Sequence, residues 1–449
     1  MDQIAGHPYW ELSFDKSGKL TSPDSAGFLA EAAASGVADL FVMSHGWGAS
    51  APGAHRLYEG MFPLVAAAAR QAHGIGPIGF AGILWPSLWF PDPPPAAAAQ
   101  VAAAVAAGQP GAADAALSGQ QIADTLKASF DGAGQQASLE QMGRLIDEGA
   151  AGVGREPQAS QQARLTQFHG LLQTLVPGGA QPVEDAGETA LLQSDDPQAA
   201  YAYISDVVGS APPGGAAEGI DDIFGKVWNG AKDALRAASY YEMKARAGDI
   251  GRGGLGPLLE RLHAKQPGMR VHLMGHSFGA RLVSFALSGI TSANASPIAS
   301  LCLIQGAFSH WSFAHIQNMP FGTAGALNQY ADRVHGPLVA TFSDNDWAVG
   351  RWYPKASFLA QQDAQAAANP ASQWGGMGSD GFQGVSPAAS LDLLPVGTAY
   401  SLTPGSFYRV DGSAVIANTA QSSFSGAHSD IRHPPVAWLA VSAAAAHGA

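Results

Sequence analysis

Gly275-His276-Ser277-Phe278-Gly279 sets a hydroxyl between two glycines, and the residues on either side decide whether that hydroxyl can do chemistry. Val271 to Met274 is a short apolar run suited to a buried strand. Ala280, Leu282, Val283, Phe285, Ala286 and Leu287 fit a helix with a broad apolar face. Gly275 and Gly279 permit a turn too sharp for a Cβ. Ser277 is then held at the head of a helix, where backbone N–H groups and the helix dipole favour developing negative charge. This is the layout of a nucleophile elbow. In a chain with 55 glycines the G-x-S-x-G pattern is weak by itself, because a strand-to-helix turn with a solvent-facing serine also satisfies it. The strand before and the helix after give it weight.

A serine hydroxyl attacks well only if a base removes its proton, and the base must titrate near neutrality and be held by a third group. Beyond the apolar run that ends at Phe342, the histidines are His428, His433 and His447. His447 falls in the Ala-rich tail. His433 directly precedes Pro434, which suits a helix start, whereas His428 lies in the polar loop Ser425-Gly426-Ala427-His428-Ser429-Asp430 and is the expected base. The orienting carboxylate should end a neighbouring strand. Leu338 to Phe342 runs straight into Ser343-Asp344-Asn345-Asp346, and Asp346 is preferred because the extra residues let the loop turn toward the histidine; Asp344 is the alternate acid. The oxygen that becomes negative needs two backbone donors. Phe278 supplies one, and the loop Ser44-His45-Gly46-Trp47-Gly48, which follows Asp39 to Met43, supplies the other through Trp47.

These residues require strands that share one end of a sheet. Asp39 to Met43, Ile78 to Trp85, Val271 to Met274, Ala299 to Gln305 and Leu338 to Phe342 read as buried strands. Helical periodicity covers 25–35, 53–72, 253–265, 354–368 and Pro434 to Ala446. Strand and helix alternate, as in an α/β fold with a mostly parallel central sheet flanked by helices. Tyr9 to Phe14 reads as an edge strand or hairpin, 370–400 as loop, and Phe407 to Val410 with Ala414 to Ile416 as a last strand or hairpin. The glycines of 249–256 read as the start of a helix. The alternation stops at Pro86. From 91 to 245 the chain is rich in Ala, Gln and Gly, with helices expected at 137–149, 161–175, 197–208 and 220–246 and no convincing strand. The expected organisation is a discontinuous core, 1–90 and 246–449, carrying a helical insertion or cap at 91–245.

The chain resembles the α/β-hydrolase superfamily, with HGWG in the place of the oxyanion loop, GHSFG as the elbow, and the order Ser277, Asp346, His428. The resemblance covers about 1–90 and 246–449. It implies a serine hydrolase that cleaves carboxylic esters through an acyl-enzyme, with His45, Gly46 and Gly48 shaping the oxyanion loop and His276 inside the elbow. Ser277 in place of an aspartate argues against epoxide hydrolase or dehalogenase chemistry. The chain departs from better-known members in carrying its large insertion before the elbow rather than after it. Trp47, Trp85, Trp89, Phe278, Trp311, Trp347 and Trp352 all follow strand ends, which in this fold gathers them around one crevice and suggests an apolar or aromatic ester as substrate. An amide or peptide hydrolase with the same triad, and a non-catalytic protein that binds a partner on this scaffold, are the alternatives.

Composition narrows the remaining classes. With 23 basic and 36 acidic residues the formal charge is −13, which argues against a nucleic-acid backbone or a polybasic membrane contact. Cys302 is the single cysteine, so no intramolecular disulfide can form. The first residues lack a basic stretch followed by an apolar core, and the Ala-rich runs are too short and weakly apolar to span a bilayer; the expectation is a soluble, cytoplasmic protein. Neither a metal-binding signature nor a dinucleotide or phosphate loop in a strand-helix context is present, so no cofactor is expected. The oligomeric state is left open.

Overall fold

Apolar runs flanked on both sides by amphipathic helices favour a sheet buried on both faces. The computed structural model has this arrangement; it describes residues 2–87, 118–127, 130, 132–176, 182–185, 194–208, 220–349, 375–421 and 426–446. Ten strands among these residues form one sheet: β1 (Asp2–Ile4), β2 (His7–Phe14), β3 (Leu20–Ser22), β4 (Asp39–Ser44), β5 (Ile78–Leu84), β6 (Arg270–His276), β7 (Ile298–Ile304), β8 (Leu338–Phe342), β9 (Ala388–Asp392) and β10 (Phe407–Asp411). Their order is β1-β2-β5-β4-β6-β7-β8-β10-β9, with β3 paired to β2. Only β1 and β3 run antiparallel to their neighbour β2; every other pairing is parallel.

Successive side chains along each strand go to opposite faces. Leu40, Val42, Val271, Leu273, Leu301 and Leu303 point into one core, and Phe41, Met43, Met274, Cys302 and Ile304 into the other. Helices α1 (Ser25–Ala34), α8 (Gly256–Lys265) and α9 (Phe278–Ala286) cover the first face, and α2 (Ala51–Ala69) and α10 (Pro434–Ala445) the second. The helix starts are encoded locally: Asp24 caps α1 by accepting from the Gly27 N–H, Ser50 caps α2 by accepting from the Gly53 N–H, and Pro434 opens α10.

The insertion folds as helices with a core of its own. It comprises α3 (Gly119–Leu126), α4 (Ala133–Gly152), α5 (Gln158–Leu175), α6 (Pro197–Val208) and α7 (Ile220–Ile250), packed around Leu139, Ile146, Phe168, Leu172, Tyr201 and Trp228. Helix α7 belongs to both units. Val227, Trp228, Leu235 and Tyr241 fill the insertion core, while Met243, Ala247 and Ile250 fill the sheet-face core.

Several elements differ from the sequence reading. β2 is a hairpin strand, antiparallel to its chain neighbours β1 and β3, but not the edge: it also pairs in parallel with β5, and β1 takes the edge. The glycine-rich stretch Asp249 to Gly256 does not start a helix. α7 continues through a π-helical turn, Gly251–Leu255, directly into α8, because the glycines allow the backbone to press on α9; a Cβ on Gly251 would stand 2.2 Å from the Leu282 carbonyl oxygen. The short helix α3, started by a Ser118–Gln121 capping box, and the exposed edge strand β9 are additional elements. Ala414 to Ile416 is a turn rather than a strand, and β10 is parallel to both its neighbours. The helix expected at 354–368 lies outside the described residues. Among the described residues, no helix is long and apolar enough to cross a membrane.

At the N-terminal edge of the sheet, Asp39 ties β4 to β6. Its two oxygens accept from Arg270 Nε and Nη2 at 2.5 Å each, and Oδ1 also contacts His272 Nε2 at 3.0 Å. Burial opposes the carboxylate's charge, but the hydrogen bonds from His272 and Arg270 outweigh it and hold the carboxyl well below its ordinary value of 3.8. The stability it contributes is therefore complete above about pH 4 and declines as pH falls toward the lower folded value. Asp39→Asn is expected to cost about 3–5 kcal/mol at pH 7. The gap to wild type should narrow in melts taken from pH 4 to pH 2.5. Parallel melting curves across that range would remove the linkage.

Candidate active site

The site begins with strand register. β4 and β6 are neighbours with Ser44 opposite Gly275, so the segments that leave them, His45-Gly46 and His276-Ser277, emerge side by side. Ser277 has φ 57° and ψ −123°, a backbone conformation that L-residues avoid, at a typical cost of about 1–3 kcal/mol. The surroundings enforce it. The Ser277 N–H donates to the Ile304 carbonyl at 3.2 Å and its carbonyl accepts from the Ala307 N–H at 3.1 Å, so the end of β7 grips the residue from both sides. A Cβ on Gly275 would stand 2.5 Å from Ala280 Cα, and one on Gly279 would stand 2.2 Å from the Ser44 oxygen. Both elbow glycines are therefore required by close approach, while the unusual φ falls on the serine itself.

Gly46 lies against Ser277. A Cβ there would be 2.5 Å from Ser277 Cβ and 3.1 Å from its Oγ. This brings the backbone of the expected oxyanion loop to the serine, with Trp47 next in chain and Phe278 as the first residue of α9. Gly48 turns the loop onward with φ 75°. The loop is braced from behind: the His45 ring lies parallel to Trp85 at 5.5 Å, Trp85 Nε1 donates to the His45 carbonyl at 3.0 Å, and His45 Nδ1 donates to the Gly46 carbonyl at 2.9 Å. Because Nδ1 carries that proton, Nε2 faces the Trp85 N–H, at 3.4 Å, as an acceptor.

On the other side of the elbow, His428 Nδ1 is 2.7 Å from Asp346 Oδ2. Both residues are buried. A carboxylate only accepts, so Nδ1 holds the hydrogen, and in the neutral ring Nε2 is the free lone pair. Two loops make the contact. Asp346 pairs with Gly426 in an isolated bridge and Ala427 N–H donates to the Asn345 carbonyl at 2.8 Å. Asp344, the alternate acid, is exposed, and its N–H donates to Ser413 Oγ. Of the other two histidines, His433 caps α10 and binds Asp430 at 2.9 Å, and His447 lies outside the described residues. His276 joins the halves: its Nε2 donates to the His428 carbonyl at 2.9 Å and its ring centroid lies 4.9 Å from that of His428. Among the described residues Ser277 Oγ and His428 Nε2 make no hydrogen bond to one another or to a third group. Contacts of this kind commonly close only once a substrate is bound.

The expected aromatic positions have separate placements. Trp47 packs edge-on to Tyr240 of α7 at 5.7 Å and near Phe278 at 6.4 Å. Trp85 is buried behind the loop of His45 to Gly48, Trp311 lies over Gly384 and edge-on to His310, and Trp347 covers Gly426. Trp89 and Trp352 lie outside the described residues. A crevice of about 600 Å³ runs beside the loop of His45 to Gly48, lined by Ser13, Phe14, Lys16, His45, Trp85 and Arg246 among others; Ser277 is not part of its wall. Among the described residues, no group of three or more His, Cys, Asp or Glu is placed to hold a metal ion.

Two features have no signature in the sequence. Gln305, fully buried at the end of β7, donates from Nε2 to the same Asp346 oxygen at 2.9 Å. Asp185, from the insertion, reaches Arg281 of the elbow helix, Lys244 Nζ of α7 at 3.0 Å and the Ser309 N–H at 3.0 Å. Comparison of the chain with protein-family models, with curated proteins and with solved structures finds no match.

Two of the histidines around Ser277 are held neutral. Burial, with the adjacent His428, pushes His276 down to about 3, and burial pushes His45 down to about 4. A group whose value is lowered stays uncharged at every pH above it. The Cε1–H resonances of His45 and His276 should therefore stay fixed between pH 8 and pH 5 in a two-dimensional NMR titration. A midpoint within that window for either ring would contradict this assignment.

Proposed function

We propose that the protein is a serine hydrolase of the α/β-hydrolase type that cleaves carboxylic esters. The contact between His428 and Asp346, made across 82 residues of chain beside a strained serine, is the observation that carries the reading. In the proposed reaction Ser277 Oγ attacks the substrate carbonyl carbon as His428 Nε2 takes the hydroxyl proton. Asp346 keeps the ring in the tautomer that makes this transfer possible. The carbonyl oxygen becomes an anion and receives the N–H groups of Phe278 and Trp47. Collapse of the tetrahedral species breaks the bond to the alcohol, which leaves with the proton from His428. Water, deprotonated by the same ring, then releases the acid from the acyl-serine. An ester of low polarity is favoured as substrate by Trp47 and Phe278, which pack together beside Ser277, and an amide would use the same groups.

Hydrolysis of p-nitrophenyl esters from acetate to decanoate, with an anilide beside them, tests the reading. Ser277→Ala, His428→Ala and Asp346→Asn are each expected to lower kcat by about 10⁴-fold, and Asp344→Asn to leave it near wild type. A fluorophosphonate should label wild type at Ser277. A wild-type protein that neither labels nor turns over any of these substrates would overturn the proposal.

Gly46→Ala tests the oxyanion loop separately. The added methyl must displace either the loop or Ser277. It is expected to lower kcat by about 10²–10³-fold, the usual effect of a lost oxyanion donor, with a smaller change in KM. Wild-type kcat in this variant would exclude the loop from the reaction.

A further inference from the structure

Asp346 has a second side-chain partner besides His428, and that partner is itself aimed. The Gln305 amide nitrogen lies 2.9 Å from Asp346 Oδ2 and 3.3 Å from the Gly378 carbonyl, both of which only accept, so the NH₂ group must face them. The amide oxygen then faces Thr341 Oγ1, which donates to it at 3.0 Å. That hydroxyl in turn accepts the Gln305 backbone N–H at 3.2 Å. Every donor in this ring meets an acceptor, which fixes the amide in one orientation. Gln305 also has φ 47°, and a Cβ on Gly378 would stand 2.8 Å from its carbonyl carbon, so the backbone is fixed as well. Its chain neighbour Ile304 accepts the Ser277 N–H, so a single strand end holds both the nucleophile and the acid.

We infer that Gln305 is a positioning residue, which orients the Asp346 carboxylate and draws part of its charge away from His428, and so sets the pH at which His428 gains its proton. The inference rests on the hydrolase reading for its importance to catalysis, but the arrangement of Gln305, Asp346 and His428 can be tested without substrate. An N–H donated to a carboxylate oxygen stabilises the anion and weakens its pull on any other proton nearby. Removing it concentrates the charge on the bond to His428, which should then hold its proton to higher pH. Among the described residues, the other titratable groups close to His428 are His276 on the elbow, and Asp430 and His433 on its own segment. Asp430 is engaged by the N–H groups of Ala417 and Asn418 and by His433.

The test is an NMR titration of the His428 ring in wild type, Gln305→Met, Gln305→Leu and Thr341→Val, each first checked for cooperative melting. Gln305→Met keeps the volume and loses the donor; its His428 midpoint should rise by about one pH unit, a tenfold gain in proton affinity. Gln305→Leu also loses the donor and should raise it by a similar amount. Thr341→Val releases the amide without removing it and should give a smaller rise. The acid limb of kcat/KM for p-nitrophenyl ester hydrolysis should move by the same amounts, with KM little changed because Gln305 is buried away from substrate. An unmoved His428 midpoint in the variants that fold would overturn the inference, even if activity fell. If wild type hydrolysed nothing and did not label, the hydrolase reading would fail, while the NMR midpoints would still decide the role of Gln305.

Discussion

The close approach of Gly46 to Ser277 is the constraint on which the rest of the site depends. It exists because β4 and β6 are adjacent, parallel and in a register that opposes Ser44 to Gly275. A shift of one residue would move the loop by roughly 3.3 Å and reverse the faces of every side chain on the strand. The alternation of Leu40 and Val42 against Phe41 and Met43 between two cores prevents that shift. The Asp39–Arg270–His272 cluster pins the same register from the other end. The same ladder extends sideways: His276 opposes Ile304 and Ile304 opposes Thr341, so the elbow, Gln305 and the acid loop leave the sheet at one level. Packing of hydrophobic side chains thus fixes the distances between the polar groups at the strand ends.

The insertion is joined to this end of the sheet as well as to its face. Tyr240 of α7 lies 4.6 Å from the Phe278 ring, and Arg281, one turn further along the elbow helix, donates from Nε to the Lys244 carbonyl at 2.8 Å. The Val183–Asp185 turn completes the joint, with Asp185 among Arg281, Lys244 and the Ser309 N–H, and Glu184 accepting the Ala326 N–H at 2.8 Å. Burying these charges is costly, and several kilocalories per ion must be offset by pairing. The pairing is satisfied only when turn, helix α7 and elbow helix are in one arrangement. The cluster therefore specifies a single docking of the insertion on the elbow, which a purely apolar contact would define less sharply.

What could be read in the sequence divides along physical lines. Features that depend on local periodicity were legible: the strands from β4 to β8, most insertion helices and the strand-elbow-helix unit all follow from spacing and caps. So was the contact of Asp346, rather than Asp344, with His428, because a loop needs the extra residues to turn a carboxylate back toward a neighbouring strand end. β9 was not, since Ala388–Asp392 is short, exposed and poor in β-branched residues, and its place at the sheet edge comes from pairing with β10. The Gly251–Leu255 turn looked like a helix start because glycine normally signals a break, whereas here its missing side chain admits the backbone of α9. Gln305 and Asp185 carry no local signal at all. Their partners lie 41 and 96 residues away in Asp346 and Arg281, and only the fold brings them together.

Asp185 and Asp346 are both buried aspartates, and the contrast between them bears on what the site is for. Asp185 is ion-paired with Lys244 and Arg281. Asp346 is held by dipoles: the N–H of Gln305 at Oδ2 and of Val349 at Oδ1, besides His428. Among the described residues its only ion-pair partner is that histidine. Dipoles weaken a carboxylate's field without cancelling it, and the two nearby rings of His276 and His45 are kept neutral by burial. A cation that forms on His428 would therefore enter a region already polarised to receive it. In the proposed reaction that cation appears in step with the oxyanion, so the field of Asp346 lowers the barrier where charge separates rather than only stabilising the resting fold.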